Sequence, residues 1–411
     1  VSTLALFGGQ PIRNKPFHGW PVADENEISA LEQVVRSGKW GAIQGARVRE
    51  FEKAYAEYHH AKHGMAVFNG TVALEIALQA CGIGPGDEVI LPAYTFIASA
   101  SAVLSKGAVP VFADIDLDTF TIDLRHAESV LTPRARAIMP VQFAGRPCDM
   151  DAAQAFAEKH RLKIIEDAAQ AWGASWRGTP VGAIGHAGSF SFQSSKNITA
   201  GEGGVLLTNH DDVAEMIRSL RNCGRLESGL WYAHYHIGTN ARMTEFQAAI
   251  LLAQLQRYPA AQEHRHRKAQ TLDRMLATHP GLRPLRDDAN ITRHAHHLYI
   301  LRYLPEAWDG LPKGKFLEAM KAEGVPLSAG YSLPLYEQPV FKNRSFGTLS
   351  RWFEGKMDYN DVHLPNTHAA CYEQAIWIVQ SYLLGSEEDM RDIARAAEKV
   401  YEHREELLAQ R

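Results

Sequence analysis

Three stretches of this chain combine residue types and spacing that could do covalent chemistry. SFQSSKNITAGEGG, residues 191–204, sets one lysine, Lys196, among small, hydroxylated and amide-bearing neighbours. A lysine amine attacks carbonyl carbon when deprotonated, although a lone loop lysine reads first as a solvated cation. LKIIEDAAQAWG, residues 162–173, delivers Glu166 and Asp167 to the end of an apolar run. An acid at the carboxyl end of a buried parallel strand faces a ligand, or is a structural acid satisfied by backbone N–H groups or an arginine. AVFNGTVALEIALQACG, residues 66–82, runs from a strand pattern through Asn69-Gly70-Thr71 into a helix pattern. Such a helix start offers free N–H groups to a phosphate, and also reads as an ordinary N-cap.

Taken together the three point to one cofactor. Lys196 follows Asp167 by 29 positions, one strand further on. A phosphate-binding helix start, a strand-end aspartate and a loop lysine suggest pyridoxal 5'-phosphate. The lysine forms a Schiff base with the aldehyde, the aspartate keeps the pyridine nitrogen protonated, and the helix start anchors the phosphate.

The elements that must position these residues are legible as short apolar runs at 64–70, 87–95, 109–116, 136–145, 162–169, 188–193 and 203–209. Most are apolar throughout, as strands buried on both faces must be, and several are separated by helical patterns. This predicts an α/β fold with a mostly parallel seven-stranded sheet covered by helices. A long amphipathic pattern interrupted at Pro259 leads to a smaller C-terminal α/β unit, with HHLYILRYLP as a strand, KGKFLEAMKAEG as a helix and EEDMRDIARAAEKVYEHREELLAQ as a closing helix. The expected division is 1–260, a large cofactor-binding domain with an N-terminal arm, and 261–411, a small domain.

Composition narrows the partners. The 411 residues are 45% hydrophobic, with 43 Lys and Arg against 47 Asp and Glu and a formal charge of -4, so no positive field argues for nucleic acid or an anionic membrane. Four dispersed cysteines form no CxxC pair, and the histidine clusters (59, 60, 63; 264, 266; 294, 296, 297) lack metal-ligand spacing, so no metal is expected. The N-terminal stretch has no basic lead, and no apolar run approaches a membrane span; a cytoplasmic protein is expected. GIGPGDE, residues 82–88, follows a helix and precedes a strand, the reverse of a dinucleotide fingerprint.

The motifs NGTVAL, PAYTF, EDAAQAWGA, SFSFQSSKNITAGEGG and GTNARMTEFQAA stand in the order and spacing of the DegT/DnrJ/EryC1/StrS sugar aminotransferases. From about Trp40 to Leu255, and more loosely to the C-terminus, the chain resembles that family. The resemblance implies the aspartate aminotransferase-like fold (fold type I) and a homodimer with shared active sites. It implies Lys196 as the Schiff-base lysine and Asp167 as the pyridine-nitrogen partner, with Gln170 near the phenolic oxygen. Phe96 and Ala169 would lie against the two ring faces. Gly70, Thr71 and Ser191 would hold the phosphate, and Asn240 would reach the phosphate of the neighbouring subunit. Phe96 as a core aromatic, Ser191 as strand filler and Asn240 as a turn former stay open.

Because relatives that remove a sugar hydroxyl carry histidine where this chain has Lys196, the resemblance favours ping-pong aminotransfer from glutamine or glutamate to a cyclic polyhydroxy ketone, a cyclitol or keto sugar. The details FQSSK, TAGEGG, RNCGR and LYEQPVF resemble the branch with glutamine-dependent cyclitol aminotransferases and 3-amino-5-hydroxybenzoate synthases. Elimination with aromatisation, a nucleotide-linked keto sugar and a non-catalytic regulator on the same fold are the alternatives. Arg225 and His236 are candidates for substrate contact.

Overall fold

The computed structural model describes residues 3–352 and 358–409. Its strands, in chain order, are β1 (His63–Val67), β2 (Glu88–Pro92), β3 (Val109–Ala113), β4 (Ala135–Ile138), β5 (Lys163–Asp167), β6 (Ser175–Trp176), β7 (Thr179–Pro180), β8 (Ala187–Ser191), β9 (Gly204–Thr208), β10 (Leu282–Pro284), β11 (Ile291–Arg293), β12 (Leu298–Tyr303) and β13 (Ala375–Val379). Seven of them form one sheet in the order β1-β9-β8-β5-β4-β2-β3, in which only β9 runs against the rest. All seven apolar runs of the sequence lie in this sheet. Most are apolar throughout because the pleat sends alternate side chains into two separate cores. Met65, Val67, Val89, Leu91 and Leu206 enter one core, while Ala66, Ile90, Val205 and Leu207 enter the other.

Helices cover both faces. Helix Gly70–Ala80 starts at Asn69, whose side chain accepts from Val72 N–H at 2.9 Å, and ends beside Gly82. Helix Glu245–Leu276 opens on a capping box between Thr244 and Gln247 and keeps Pro259 inside it, where the sequence predicts an interruption. Packing against helices Glu25–Ser37 and Arg47–Tyr58 holds it together through the proline.

A second, antiparallel sheet, β10-β12-β13, lies beyond that helix. It packs with helices Lys313–Ala322 and Glu387–Glu402 around Trp308, Phe316, Ile376 and Ile393. The chain crosses back and forth between the two units. Leu4 belongs to the small-sheet core, and Arg13 pairs with Asp389 and Asp392 at 2.7 and 2.8 Å. Conversely Tyr336, Phe341 and Tyr359 sit in the core of the large sheet. Among the described residues no helix is long and apolar enough to cross a membrane, and no group of three His, Cys, Asp or Glu is placed to hold a metal ion.

Candidate active site

Strands β5 and β8 are adjacent and parallel, and the loops at their carboxyl ends open into a cavity of about 900 Å³. Asp167 closes β5. Glu166, its neighbour, points to the opposite face because successive strand residues alternate. There Glu166 is fully buried and accepts from Gly182, Ile184 and Gly185 N–H at 2.6, 2.8 and 2.7 Å, and from the Gln142 amide at 3.0 Å. It is a structural acid. Asp167 faces the cavity, accepting from Ser99 Oγ at 2.6 Å and from Ala169 N–H at 3.2 Å. Burial pushes its carboxyl above the ordinary value, while these two donors and Lys196 pull it back.

Lys196 sits on the loop after β8. The small polar neighbours in its sequence spend their hydrogen-bonding groups on that loop. Gln193 Oε1 accepts from Ser195 N–H at 2.9 Å and Thr199 Oγ donates to Phe192 O at 2.9 Å. Asn197 Nδ2 donates to Ala295 O at 2.8 Å. The Lys196 amine is left with no hydrogen bond among the described residues. Burial lowers it to about 8, with Asp167 acting in the opposite direction. An amine in that range is a competent nucleophile and base near neutral pH.

At the other end of the cavity stands the start of helix Gly70–Ala80. Asn69 caps the third helical N–H, and those of Gly70 and Thr71 have no acceptor among the described residues. Gly70 lies so close to Ser191 that a Cβ there would approach Ser191 Cβ at 2.7 Å. The contact brings the Ser191 hydroxyl to the helix start, as a phosphate cradle requires.

Of the residues singled out in the sequence, Gly70, Thr71, Phe96, Asp167, Ala169, Gln170, Ser191 and Lys196 line this one cavity. Phe96 is 58% exposed, so the core-aromatic alternative does not hold for it. Gln170 Oε1 accepts from Ala144 N–H at 2.7 Å. Asn240 lies outside the cavity, exposed, in a bridge with Asn222. Arg225 and His236 do not line it either: Arg225 borders a smaller cavity, and His236 Nδ1 meets Ser219 Oγ at 2.8 Å. Several lining residues escape sequence reasoning: Trp20, His297, Ser328, Tyr331, Trp377 and Gln380. Tyr331 stands edge-on to Trp377 at 4.7 Å, and Trp20 Nε1 donates to Ser194 O at 2.9 Å. The one available signal was the apolar run AIWIV before Gln380, which forms β13.

Pyridoxal phosphate fits these groups. Free N–H donors and a hydroxyl suit its phosphate, a buried carboxylate suits a protonated ring nitrogen, and a desolvated amine suits its aldehyde. A mostly parallel seven-stranded sheet carrying this set defines a pyridoxal phosphate-dependent transferase of fold type I. The chain belongs to the DegT/DnrJ/EryC1/StrS aminotransferase family, whose family model matches residues 21–383. It is 37% identical to L-glutamine:2-deoxy-scyllo-inosose aminotransferase of Streptoalloteichus tenebrarius, with 99% of each chain covered. It is 38% identical to the protein of that name from Streptomyces paromomycinus, with 98% of each covered. The crystal structure of 3-amino-5-hydroxybenzoic acid synthase matches with a TM-score of 0.83 at 33% identity, covering 95% of this chain and 99% of that one.

Proposed function

We propose that this aminotransferase moves an amino group from glutamine to a cyclic polyhydroxy ketone of the 2-deoxy-scyllo-inosose type. The observation that carries the reading is the desolvated Lys196 amine in one cavity with Asp167. The relatives similar over the full chain length supply the donor and the ketone class.

Pyridoxal phosphate, when bound, supplies an aldehyde that accepts amines and a ring that takes up an electron pair. Lys196 would hold it through its amine and, as a free amine, would take up the proton from the α-carbon of the donor. Asp167 would keep the ring nitrogen protonated, and the Ser99 hydroxyl favours the ionised form of Asp167. Gly70, Thr71 and Ser191 would bind the phosphate, Phe96 and Ala169 would lie against the ring, and Gln170 would lie near the phenolic oxygen.

The active unit in this reading is a cytoplasmic homodimer. Leu230, Trp231, Tyr232 and Ile237 are 79%, 82%, 73% and 90% exposed, an apolar surface too large to be left to water without reason. Asn240 follows them and would reach the partner's phosphate site. The four free cysteines suit a reducing compartment. A large unit of residues 1–260 and a small one of 261–411 belong to the same proposal, supported by the seven-stranded sheet lying wholly before residue 260 and the β10-β12-β13 sheet wholly after it, with the small β11-β6-β7 sheet joining the two.

The test is direct. Protein loaded with pyridoxal phosphate is mixed with glutamine and 2-deoxy-scyllo-inosose, and the products are read by mass spectrometry. The aminated cyclitol is expected with wild type and not with Lys196→Ala. Turnover of glutamine with no aminated cyclitol would reject the ketone class, and no change of the cofactor band with any amino acid would reject aminotransfer.

A further inference from the structure

Behind the cavity wall lies a buried cation with no acid beside it among the described residues. Arg265, on helix Glu245–Leu276, is 0% exposed. Its Nε and Nη2 donate to Gln380 Oε1 at 3.0 and 2.6 Å, while Nη1 is buried with no acceptor. The Trp20 ring covers the guanidinium at 5.6 Å. Burial holds Arg265 below its ordinary value, at about 10, and the one opposing influence is the phenol of Tyr258 rather than a carboxylate. A desolvated guanidinium without a counter-ion is costly, and a site that keeps one has a use for the positive potential.

Gln380 carries that potential to the cavity. A guanidinium has donors only, so of the two polar atoms of the Gln380 amide only the oxygen can face it. The amide nitrogen is therefore turned away from Arg265, and Gln380 lines the same cavity as Lys196. No described residue accepts from that nitrogen. Its two N–H groups, polarised by the charge on Oε1, form a fixed donor pair backed by a cation. Of the cavity's other lining groups on this side, Ser381 and Ser328 are neutral and burial keeps His297 neutral. The lining carboxylates, Asp167 and Glu202, belong to the β5 end and the loop after β8.

Two molecules visit this cavity in an aminotransfer cycle. The cyclic ketone brings neutral hydroxyl and carbonyl groups, whereas an amino-acid donor brings an α-carboxylate that the positive potential selects. We propose that Gln380 binds the α-carboxylate of the amino donor, with Arg265 as the positioning residue that aims and polarises its amide. This rests on the aminotransfer reading and adds the seat of the donor's carboxylate to it.

The experiment separates the two half-reactions in protein loaded with pyridoxal phosphate. Stopped-flow absorbance follows conversion of the cofactor by glutamine, by glutaminamide, which lacks the carboxylate charge, and, from the amine-loaded form, by the ketone. Wild type is expected to prefer glutamine to glutaminamide. Gln380→Leu and Gln380→Glu are expected to lower kcat/KM for glutamine by roughly 10- to 100-fold, the loss of a hydrogen bond to a charged group. They should erase the preference over glutaminamide and leave the ketone step and the resting absorption band as in wild type. Arg265→Met should behave like Gln380→Leu, and if it does not fold, the Gln380 variants decide alone. An unchanged glutamine rate, an equal loss in both half-reactions, or a loss confined to the ketone would overturn the assignment. Failure of every amino acid to convert the wild-type cofactor would instead reject aminotransfer itself.

Discussion

The Ser99 hydroxyl donates to Asp167 Oδ2 at 2.6 Å, across 68 residues of sequence, and in turn meets Thr95 Oγ1 at 3.0 Å. This chain of two hydroxyls compensates the burial of the carboxylate that the proposed function pairs with the cofactor's ring nitrogen. Ser99→Ala removes a donor to the charged form, so the Asp167 carboxyl rises further and the acid limb of the pH–rate profile moves to higher pH. Activity near neutral pH should fall by roughly 10-fold, as for loss of one charge-assisted hydrogen bond. A profile that does not move would mean that Ser99 does not tune Asp167.

Lys196 gives a stability prediction with a definite sign. Its amine is lowered from 10.5 to about 8 in the folded chain, so the unfolded chain binds more protons between those values. Stability of the cofactor-free protein therefore rises with pH across that window, and the burden of the buried charge is fully present below pH 8. Lys196→Met should be more stable than wild type at pH 7 by on the order of 2 kcal/mol, with the gain shrinking as pH climbs toward 10. Thermal melts of both proteins without cofactor, at a series of pH values, check this.

Gly70→Ala pushes a methyl group into Ser191 Cβ, 2.7 Å away, at the start of helix Gly70–Ala80. Overpacking of this kind costs about 1–3 kcal/mol. The displacement falls on the phosphate cradle, so pyridoxal phosphate should bind about 10-fold or more weakly in a fluorescence titration, with a smaller change in the melting temperature of the cofactor-free protein.

Glu166 and Asp167 are adjacent in sequence and opposite in role. Glu166→Gln replaces one acceptor oxygen by an amide that confronts backbone N–H donors, costing about 1–3 kcal/mol of stability. The melting temperature should drop while the cofactor's absorption band keeps its position. Asp167→Asn should do the reverse, with a shifted band and a near-normal melt.

The exposed Trp231 and Ile237 test the proposed dimer. The double variant Trp231→Glu, Ile237→Glu places two charges on that apolar surface. It should elute as a monomer in size-exclusion chromatography with light scattering and lose most of its activity. An unchanged dimer would place the interface elsewhere.

The sequence by itself determined the sheet and marked Lys196 and the Glu166-Asp167 pair. Seven largely apolar runs have few places to go but the middle of a helix-covered sheet, and Lys196 and the strand-end acids stand in local contexts whose chemistry is readable without knowing the fold. Tertiary structure decided the rest of the cavity. Pleating chose Asp167 over Glu166 for the ligand face, and strand alternation alone does not say which face that is. Ser99, His297, Tyr331, Trp377 and Gln380 reach the cavity from segments far apart in the chain, where spacing carries no signal. Asn240 shows the remaining limit: it is exposed on the single chain, and in the proposed dimer its place would be defined by the partner's surface. Local pattern fixes what a segment becomes, but only the packing of distant segments sets which side chains share a volume and which polar group faces which, as Arg265 does for the amide of Gln380.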